Sequence, residues 1–310
     1  MMKDVMEKLK TGHQEYTPAT MWFFNDRATK EETTFQLEQF RKQGILEFYI
    51  HPTYGMRGDY LDEGYFDHIR HVVKEARRLG LKYWIYDEYN WPSGVAGGYL
   101  LKEKPWTRMR NLCALSSVVE PGASLIKPVP FAEKTKLELM GGTAILGKEM
   151  LEIHPVIRDG AIVWENDRGE TATVIVYLTM LHTGILPNAR GAEFTWDQEG
   201  YLDTLDEEAV GEFIQYTHEQ YKSAVGEYFG TVVKGVFTDE VAAVSYGSPE
   251  MKGMLCLPWS RKFEQKFYKM HGYDVRDIVP KLFIDSDDIA TARARYDYWL
   301  AVRDMYISAY

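Results

Sequence analysis

Strand-like and helix-like segments alternate along the first hundred residues, and this alternation constrains the fold of the chain strongly. Short apolar runs predict three strands, at residues 20–24, 46–50 and 82–86. The capping-box pattern that begins at Thr29 and the cap residue Asp62 predict two intervening helices, which Gly44 and Gly80 end. Strands that alternate with helices imply a parallel sheet, in a (β/α) barrel or in an open doubly wound sheet.

The alternation is interrupted between residues 106 and 203, where β-prone runs and turn residues follow one another. This pattern predicts an inserted antiparallel β subdomain. The strand–helix pattern resumes at Asp206, which we expect to cap a helix, and a fourth strand is predicted at 232–238. Further helices are predicted at residues 259–270, 275–282 and 290–310.

The predicted fold is therefore α/β, a TIM-type (β/α) barrel with an inserted β subdomain. A closed barrel needs eight strands, whereas the sequence predicts about four β/α units, so we expect an incomplete barrel and a chain that is the N-terminal part of a longer protein. The expected division is three β/α units in 1–105, the β-rich insertion in 106–203, and the fourth unit with its following helices in 204–310.

Charge and composition exclude several classes of partner. With 36 basic and 46 acidic residues the net charge is −10, which argues against binding to nucleic acid or to an anionic membrane. The N-terminus has no signal-peptide pattern and no apolar run is long enough to span a membrane, so the expected location is cytoplasmic. Cys113 and Cys256 have neither a metal-binding nor a redox motif beside them, and we expect two buried free thiols.

Two of the predicted strands end in adjacent carboxylates. The third strand runs into Asp87 and Glu88, in KYWIYDE, and the fourth runs into Asp239 and Glu240, in KGVFTDE. Because the carboxyl ends of barrel strands meet at one mouth, we expect these acids to share a site. Neighbouring carboxylates raise the pKa of one member, which glycoside hydrolysis requires of its general acid.

Other polar residues are expected at the same ends. Asn25 follows the first strand, where an Asn also commonly closes a turn, and His51 follows the second. A carboxylate cluster with His51 could instead hold a divalent metal for hydrolysis, although no closely spaced His pair supports that. The 14 Phe, 21 Tyr and 8 Trp residues are also compatible with stacking on sugar rings.

Several segments resemble the bacterial α-L-rhamnosidases of glycoside hydrolase family 106. They are MWFFND, QLEQFRKQGILEFYIHP, YWIYDEYNWPSGVAGG, GEYFGTVVKGVFTDE and LPWSRKFEQKFYKMHGYDV, which together cover most of the chain outside the β insertion. The resemblance implies a catalytic (β/α)₈ barrel with a β insertion, acting on glycans by an inverting, two-carboxylate mechanism. The second catalytic carboxylate would then lie beyond this chain.

By matching motifs, the resemblance implies Glu240 as the general acid, with Asp239 beside it. It also implies a sugar subsite lined by His51, Asp87, Glu88, Asn90 and Trp91. The sequence itself requires no cofactor. The resemblance implies calcium, but its ligands have no matching positions here.

Three functions stay open from the sequence. The first is a glycoside hydrolase of the α-L-rhamnosidase type that removes terminal sugars. The second is a non-catalytic carbohydrate-binding protein on a shortened barrel, and the third is a metal-dependent hydrolase. The expected partner is a carbohydrate, and the sequence specifies neither the sugar nor the oligomeric state.

Overall fold

The structure, a computed structural model, is a mixed α/β protein and describes residues 2–10, 17–26, 29–129, 132–182, 200–243 and 252–310. None of the helices in these ranges is long and apolar enough to cross a membrane. The elements are α1 (Met2–Lys10), β1 (Ala19–Phe24), α2 (Lys30–Lys42), β2 (Glu47–Pro52), α3 (Glu63–Leu79), β3 (Lys82–Tyr86), α4 (Tyr99–Glu103), β4 (Arg110–Val119), β5 (Ser124–Pro128), α5 (Ala132–Thr135), β6 (Glu138–Leu146), β7 (Glu149–Ile153), β8 (Val156–Arg158), β9 (Ala161–Glu165), β10 (Ala172–Leu181), α6 (Glu207–Tyr216), α7 (His218–Val225), β11 (Val233–Phe237), β12 (Leu255–Trp259), α8 (Phe263–His271), α9 (Val279–Phe283) and α10 (Ile289–Ala309).

The chain forms two compact units. Within the described residues, the first unit comprises 2–100 and 212–241, and the second comprises 101–182, 200–211 and 242–310. The expected division differs from this at the C-terminal end, because residues 242–310 belong to the β-rich unit and do not continue the first.

The first unit contains a four-stranded parallel sheet with the order β1-β2-β3-β11. Two of its helices, α2 and α3, begin at the predicted caps: Thr29 Oγ1 accepts a hydrogen bond from the Glu32 amide at 3.2 Å, and Asp62 Oδ1 accepts one from the Tyr65 amide at 2.6 Å. Helix α3 ends at Gly80, whose φ of 69° is left-handed and costs a glycine little.

One face of this sheet packs against the helices. Because side chains alternate along a strand, residues such as Phe48, Ile50 and Tyr83 point to this face and are fully buried. The helices contribute the facing apolar residues, which are Leu37 of α2, Phe66, Ile69, Val72, Val73 and Ala76 of α3, and Tyr221 and Val225 of α7.

The opposite face of the sheet is aromatic. The Tyr49 ring stacks on Phe237 at a centroid distance of 5.0 Å, and the Tyr86 ring stacks on His51 at 4.0 Å. Phe23 and Phe237 on this face are 49% and 37% exposed. The two faces therefore differ: one forms the core with the helices, and the other presents rings.

The second unit contains a five-stranded antiparallel sheet, β12-β4-β10-β6-β7, and a three-stranded antiparallel sheet, β5-β9-β8. One core cluster joins residues of both sheets, including Leu115, Val176 and Ile162. A second cluster joins Leu112 and Tyr177 to the C-terminal helices, through Phe263 and Phe267 of α8 and Ala294, Tyr298, Ala301, Val302 and Met305 of α10.

Strand β12 explains why the C-terminal helices belong to the second unit. The sequence predicts a helix over 259–270, but Leu255–Trp259 pairs with β4 and α8 begins only at Phe263. A five-residue run that contains Pro258 is a weak strand signal, since proline cannot donate to the ladder. The predicted helix after Asp206 is likewise two helices, α6 and α7.

Gly235 of β11 gives a direct test of the packing on the aromatic face. A Cβ at Gly235 would lie 2.7 Å from Cζ3 of Trp84, whose indole nitrogen is held by Glu47 at 2.9 Å. We expect Gly235→Ala to lower the free energy of unfolding by about 1–3 kcal/mol. Gly211→Ala in α6, where a Cβ meets nothing within 4 Å, is the matched control and should raise it by about 0.5–1 kcal/mol in urea titrations.

Candidate active site

The carboxyl ends of β2, β3 and β11 lie side by side at one edge of the parallel sheet. Phe237 pairs with Tyr86, the last residue of β3, and the Asp87 amide donates to the Phe237 carbonyl at 3.4 Å. The acids that follow the two strands therefore lie in one region, as the sequence predicts. Their environments, however, separate them into two pairs.

Asp87 is fully buried, and donors from three segments surround its carboxylate. Oδ1 accepts from the Ser93 hydroxyl at 2.6 Å, while Oδ2 accepts from the Thr238 hydroxyl at 2.7 Å and contacts Nε2 of His218 at 2.9 Å. Asp87 thus ties together the loop after β3, the end of β11 and the start of α7. All three contacts lie within the protein, and a contact of Asp87 with a sugar stays a prediction.

Glu88 is also fully buried, and its carboxylate binds the loop that follows it. Backbone N–H groups of five residues donate to the two oxygens, those of Tyr89, Gly94, Val95, Ala96 and Gly97. The loop can converge on one carboxylate because Ala96 and Gly97 have left-handed φ angles of 51° and 65°. Glu88 therefore organises residues 89–97.

Two opposing effects act on the acidity of Glu88. Burial raises the pKa of its carboxyl to about 7, because the charged form loses its hydration. The backbone N–H donors lower the pKa, because they favour the carboxylate. Both oxygens of Glu88 are occupied within the protein, so the predicted contact with a sugar finds no open acceptor here.

Ser93 connects the Glu88 loop to the end of β11. Its amide donates to the Asp239 carbonyl at 2.8 Å, and its hydroxyl accepts from the Asp239 amide at 2.9 Å. Since the same hydroxyl donates to Asp87, one buried serine fixes the backbone position of Asp239 relative to β3.

Asp239 is half-buried, and its side chain is oriented by Tyr86. The Tyr86 hydroxyl lies 2.7 Å from Asp239 Oδ2 and 2.9 Å from the Asn90 carbonyl. Burial, followed by the hydrogen bond with Asp239, raises the pKa of Tyr86, so the phenol stays a neutral donor.

His51 and Asn90 are buried polar residues with side-chain atoms that find no hydrogen-bond partner in the described part of the chain. These atoms are His51 Nε2 and Asn90 Nδ2, in residues that are 1% and 5% exposed. Asn90 Oδ1, in contrast, accepts from the Thr53 hydroxyl and the Tyr54 amide. Leaving a buried polar group without a hydrogen bond costs free energy. A bound ligand would supply the partners that these two atoms lack.

The protonation of His51 is set by its surroundings. Burial lowers its pKa to about 4, so the imidazole is neutral at neutral pH. Nδ1 lies 3.3 Å from the sulfur of Met21, a weak acceptor, and we therefore assign the ring proton to Nδ1. Nε2 is then an acceptor, while Asn90 Nδ2 is a donor, and the two atoms suit hydroxyl groups.

Glu240 comes directly after Asp239 and is exposed, with a left-handed φ of 46°. Asn90 shares this conformation, with a φ of 59°. Such φ angles cost a residue with a side chain about 1 kcal/mol or more and are concentrated at functional sites. Two of them therefore mark the edge where the carboxylates lie.

The remaining predicted residues lie at the same edge in different settings. Trp91 is half-buried, and its ring meets the His51 ring edge to face at 5.7 Å. Asn25 is exposed at the end of β1, beside Asp26, which pairs with Arg57 at 3.0 Å. We define the strand-end cluster as His51 and Asn90, whose buried atoms lack a partner among the described residues, with Tyr86, Asp239 and the exposed Glu240.

Metal ligands are absent from the part of the chain that the structure describes: no group of three or more His, Cys, Asp or Glu side chains could hold a metal ion. Asp87 and Glu88, two of the acids expected at the same edge as His51, accept hydrogen bonds from protein donors on both carboxylate oxygens. The calcium that the resemblance implies stays a prediction.

Of the comparisons with known proteins, only the one with solved structures gives a match, and it concerns the fold. No family model matches the sequence, and no curated protein matches it. The chain is similar in structure to a rhamnosidase from Novosphingobium sp. PP1Y, with a TM-score of 0.52 and 15% sequence identity. The match covers 94% of this chain and 44% of that one, so the chain spans less than half of its neighbour. At this identity the likeness shows a shared fold, and membership of family 106 stays a prediction.

Proposed function

We propose that this chain carries part of a glycoside hydrolase site of the α-L-rhamnosidase type. The observation that carries the proposal is the strand-end cluster: an oriented carboxylate, Asp239, next to an exposed one, Glu240, beside buried atoms of His51 and Asn90 that have no protein partner among the described residues. The distant rhamnosidase neighbour supports it at the level of fold.

The roles are assigned from access and orientation. Glu240 is exposed, so it can reach a glycosidic oxygen and donate a proton to it as general acid. Asp239 is held by Tyr86 and would accept a hydrogen bond from a sugar hydroxyl. His51 Nε2 would accept another, and Asn90 Nδ2 would donate to an oxygen. Trp91 and the rings of the aromatic face would contact the apolar side of the sugar.

The strand order supports a barrel as the finer description of the fold. In β1-β2-β3-β11 each parallel strand lies beside the next one along the chain, with the β-rich insertion between the last two. A doubly wound sheet reverses its order at a switch point, whereas a (β/α) barrel adds strands in sequence. We therefore propose that the sheet is a barrel segment and that its aromatic face is the inner one.

The test is a screen of the purified protein with aryl glycosides, together with calorimetry against the corresponding free sugars. Hydrolysis of an α-L-rhamnoside whose leaving group is not strongly acidic, lost on replacing Glu240, supports the proposal. Absence of both binding and turnover for all sugars would overturn it.

A second candidate is a carbohydrate-binding protein without catalysis. It is favoured by the saturation of Asp87 and Glu88, which leaves Asp239 and Glu240 as the accessible acids after these two strands. Inverting hydrolysis uses two carboxyl groups about 6.5–9.5 Å apart with a water between them. Sugar binding in the calorimeter without any turnover would select this candidate.

His51→Phe tests the sugar contact within either candidate. Phenylalanine keeps the ring on Tyr86 but removes Nε2, so we expect sugar affinity to fall about tenfold to a hundredfold with little change in stability. His68→Phe is the matched control, because His68 is a histidine on the helical side whose Nε2 contacts the Thr33 hydroxyl at 2.9 Å. It should leave affinity unchanged. Equal affinity of wild type and His51→Phe would remove His51 from the site.

A further inference from the structure

Cys113 and Cys256 are 143 positions apart in the sequence but adjacent in the second unit. Cys256 of β12 pairs directly with Cys113 of β4 in the antiparallel register, flanked by the pairs Leu255–Ala114 and Leu257–Leu112. The two sulfur atoms are 2.7 Å apart. Both cysteines are free thiols; Cys113 is buried, as the sequence predicts, whereas Cys256 is half-buried. The sequence does not reveal that they are neighbours.

The register alone gives the backbone spacing of a cross-strand disulfide. Directly opposed residues of an antiparallel pair have Cα atoms about 4.5–5.5 Å apart. Disulfides join Cα atoms that are about 4.4–6.8 Å apart. The two cysteines can therefore be joined without moving either strand.

The two thiols differ in access and in acidity. Cys113 is fully buried, whereas Cys256 is half-buried. The hydrogen bond between them lowers the pKa of Cys256, and the same bond, together with burial, raises the pKa of Cys113. Cys256 is thus the more accessible thiol and the one more readily present as the nucleophilic thiolate.

We propose that Cys113 and Cys256 form a thiol–disulfide exchange site that a low-molecular-weight disulfide oxidises. The Cys256 thiolate attacks one sulfur of the small disulfide, forms a mixed disulfide and releases one small thiolate. Cys113 then gives up its proton and attacks Cys256 Sγ, which releases the second small thiolate. The protein loses two protons and two electrons, and the small disulfide takes them up as two thiols.

The bond would fasten the C-terminal helices to the antiparallel sheet. Strand β12 ends at the buried Trp259, and two residues of α8, Phe263 and Phe267, continue the same core cluster. A link from β12 to β4 closes a long chain segment and so lowers the entropy of the unfolded state. The inference does not rest on the proposed glycosidase function.

The experiment uses the whole reduced protein and oxidised glutathione as the probe. After incubation, the denatured protein is titrated for free thiols and weighed by mass spectrometry. We expect both thiols to disappear, with a mass loss of two hydrogen atoms, no retained glutathione and a monomer on a non-reducing gel. Two free thiols, a stable glutathione adduct or a disulfide-linked dimer as the product would each overturn the proposal.

Single variants assign the order of attack. Cys113→Ser should trap the mixed disulfide of glutathione on Cys256, whereas Cys256→Ser should leave the buried Cys113 unmodified. The oxidised wild type should melt roughly 5 °C above the reduced protein, and neither serine variant should show this shift. Because the thiol count on wild type decides the result, poor folding of a variant leaves the proposal testable.

Discussion

Replacing Glu240 with glutamine is expected to lower kcat for an unactivated α-L-rhamnoside by about 10²–10⁴-fold, the usual contribution of a general acid. Glutamine keeps the size of the side chain but has no proton to transfer. Glu240 is exposed in the segment that follows β11 and is not part of a core cluster, so the fold should be unchanged. Initial rates on the purified variant, with circular dichroism as a check of folding, measure this effect.

The leaving group separates proton donation from a positioning role. A glycoside with a very acidic leaving group, such as dinitrophenol, departs without protonation, so Glu240→Gln should cleave it at close to the wild-type rate. If Glu240 only positioned the substrate, the variant would lose activity on both substrates to the same extent. Glu227→Gln is the matched control, since Glu227 is an exposed glutamate that precedes β11 in the same unit. A variant at 240 that retains wild-type turnover on both glycosides refutes the assignment.

Asp239→Asn gives a contrasting result within the same test. Its carboxylate is held by Tyr86, and we assign it to the substrate rather than to the proton transfer. The asparagine variant should therefore raise KM and lower kcat for both leaving groups in similar proportion.

The sequence predicts the edge of the sheet where the candidate site lies, but it does not distinguish the environments of its acids. KYWIYDE and KGVFTDE have the same pattern of a strand that ends in Asp-Glu, and periodicity treats them alike. The difference between the two pairs of acids comes from the loop after each strand. The loop after Glu88 folds back so that five of its N–H groups donate to the carboxylate. This backbone path depends on left-handed φ angles, which the residue types in the loop allow but do not require.

Hydrogen-bond partners that are far apart in the chain also could not be predicted from the sequence. His218 contacts Asp87 from a helix 131 residues away, and Tyr86 orients Asp239 from a strand 153 residues away. In the sequence, His218 is a polar residue in a predicted helix, and Tyr86 is an ordinary strand aromatic. The helix caps at Thr29 and Asp62 could be predicted because capping depends on residues three positions apart.

In the C-terminal part of the chain the sequence predicts helices but not the surface on which they pack. Helical periodicity predicts the helices over 275–282 and 290–310, and the structure contains α9 and α10 there. Periodicity identifies an apolar stripe but not the surface that will cover it. The pairing of β12 with β4 decides that these helices pack on the antiparallel sheet.

Glu88→Gln is expected to lower the free energy of unfolding by about 2–4 kcal/mol, the second large effect. An amide has one acceptor oxygen, so its NH₂ group would face either the three N–H groups now on Oε2 or the two now on Oε1. Buried donors left unpaired cost about 1–3 kcal/mol each, and local relaxation of the loop offsets part of that cost. Urea unfolding measures the change.

Amide hydrogen exchange tests whether the effect is local to the loop. In wild type the amides of Val95 and Ala96 should be protected by Glu88, and in Glu88→Gln they should exchange far faster while the amides of α3 stay protected. Glu63→Gln, at an 84% exposed glutamate paired with Arg70, is the matched control and should change stability by about 0.5 kcal/mol or less. Because Ser93 links this loop to Asp239, loosening the loop should also weaken sugar binding. Intact protection at residues 95 and 96 in the variant would show that the loop folds without the carboxylate.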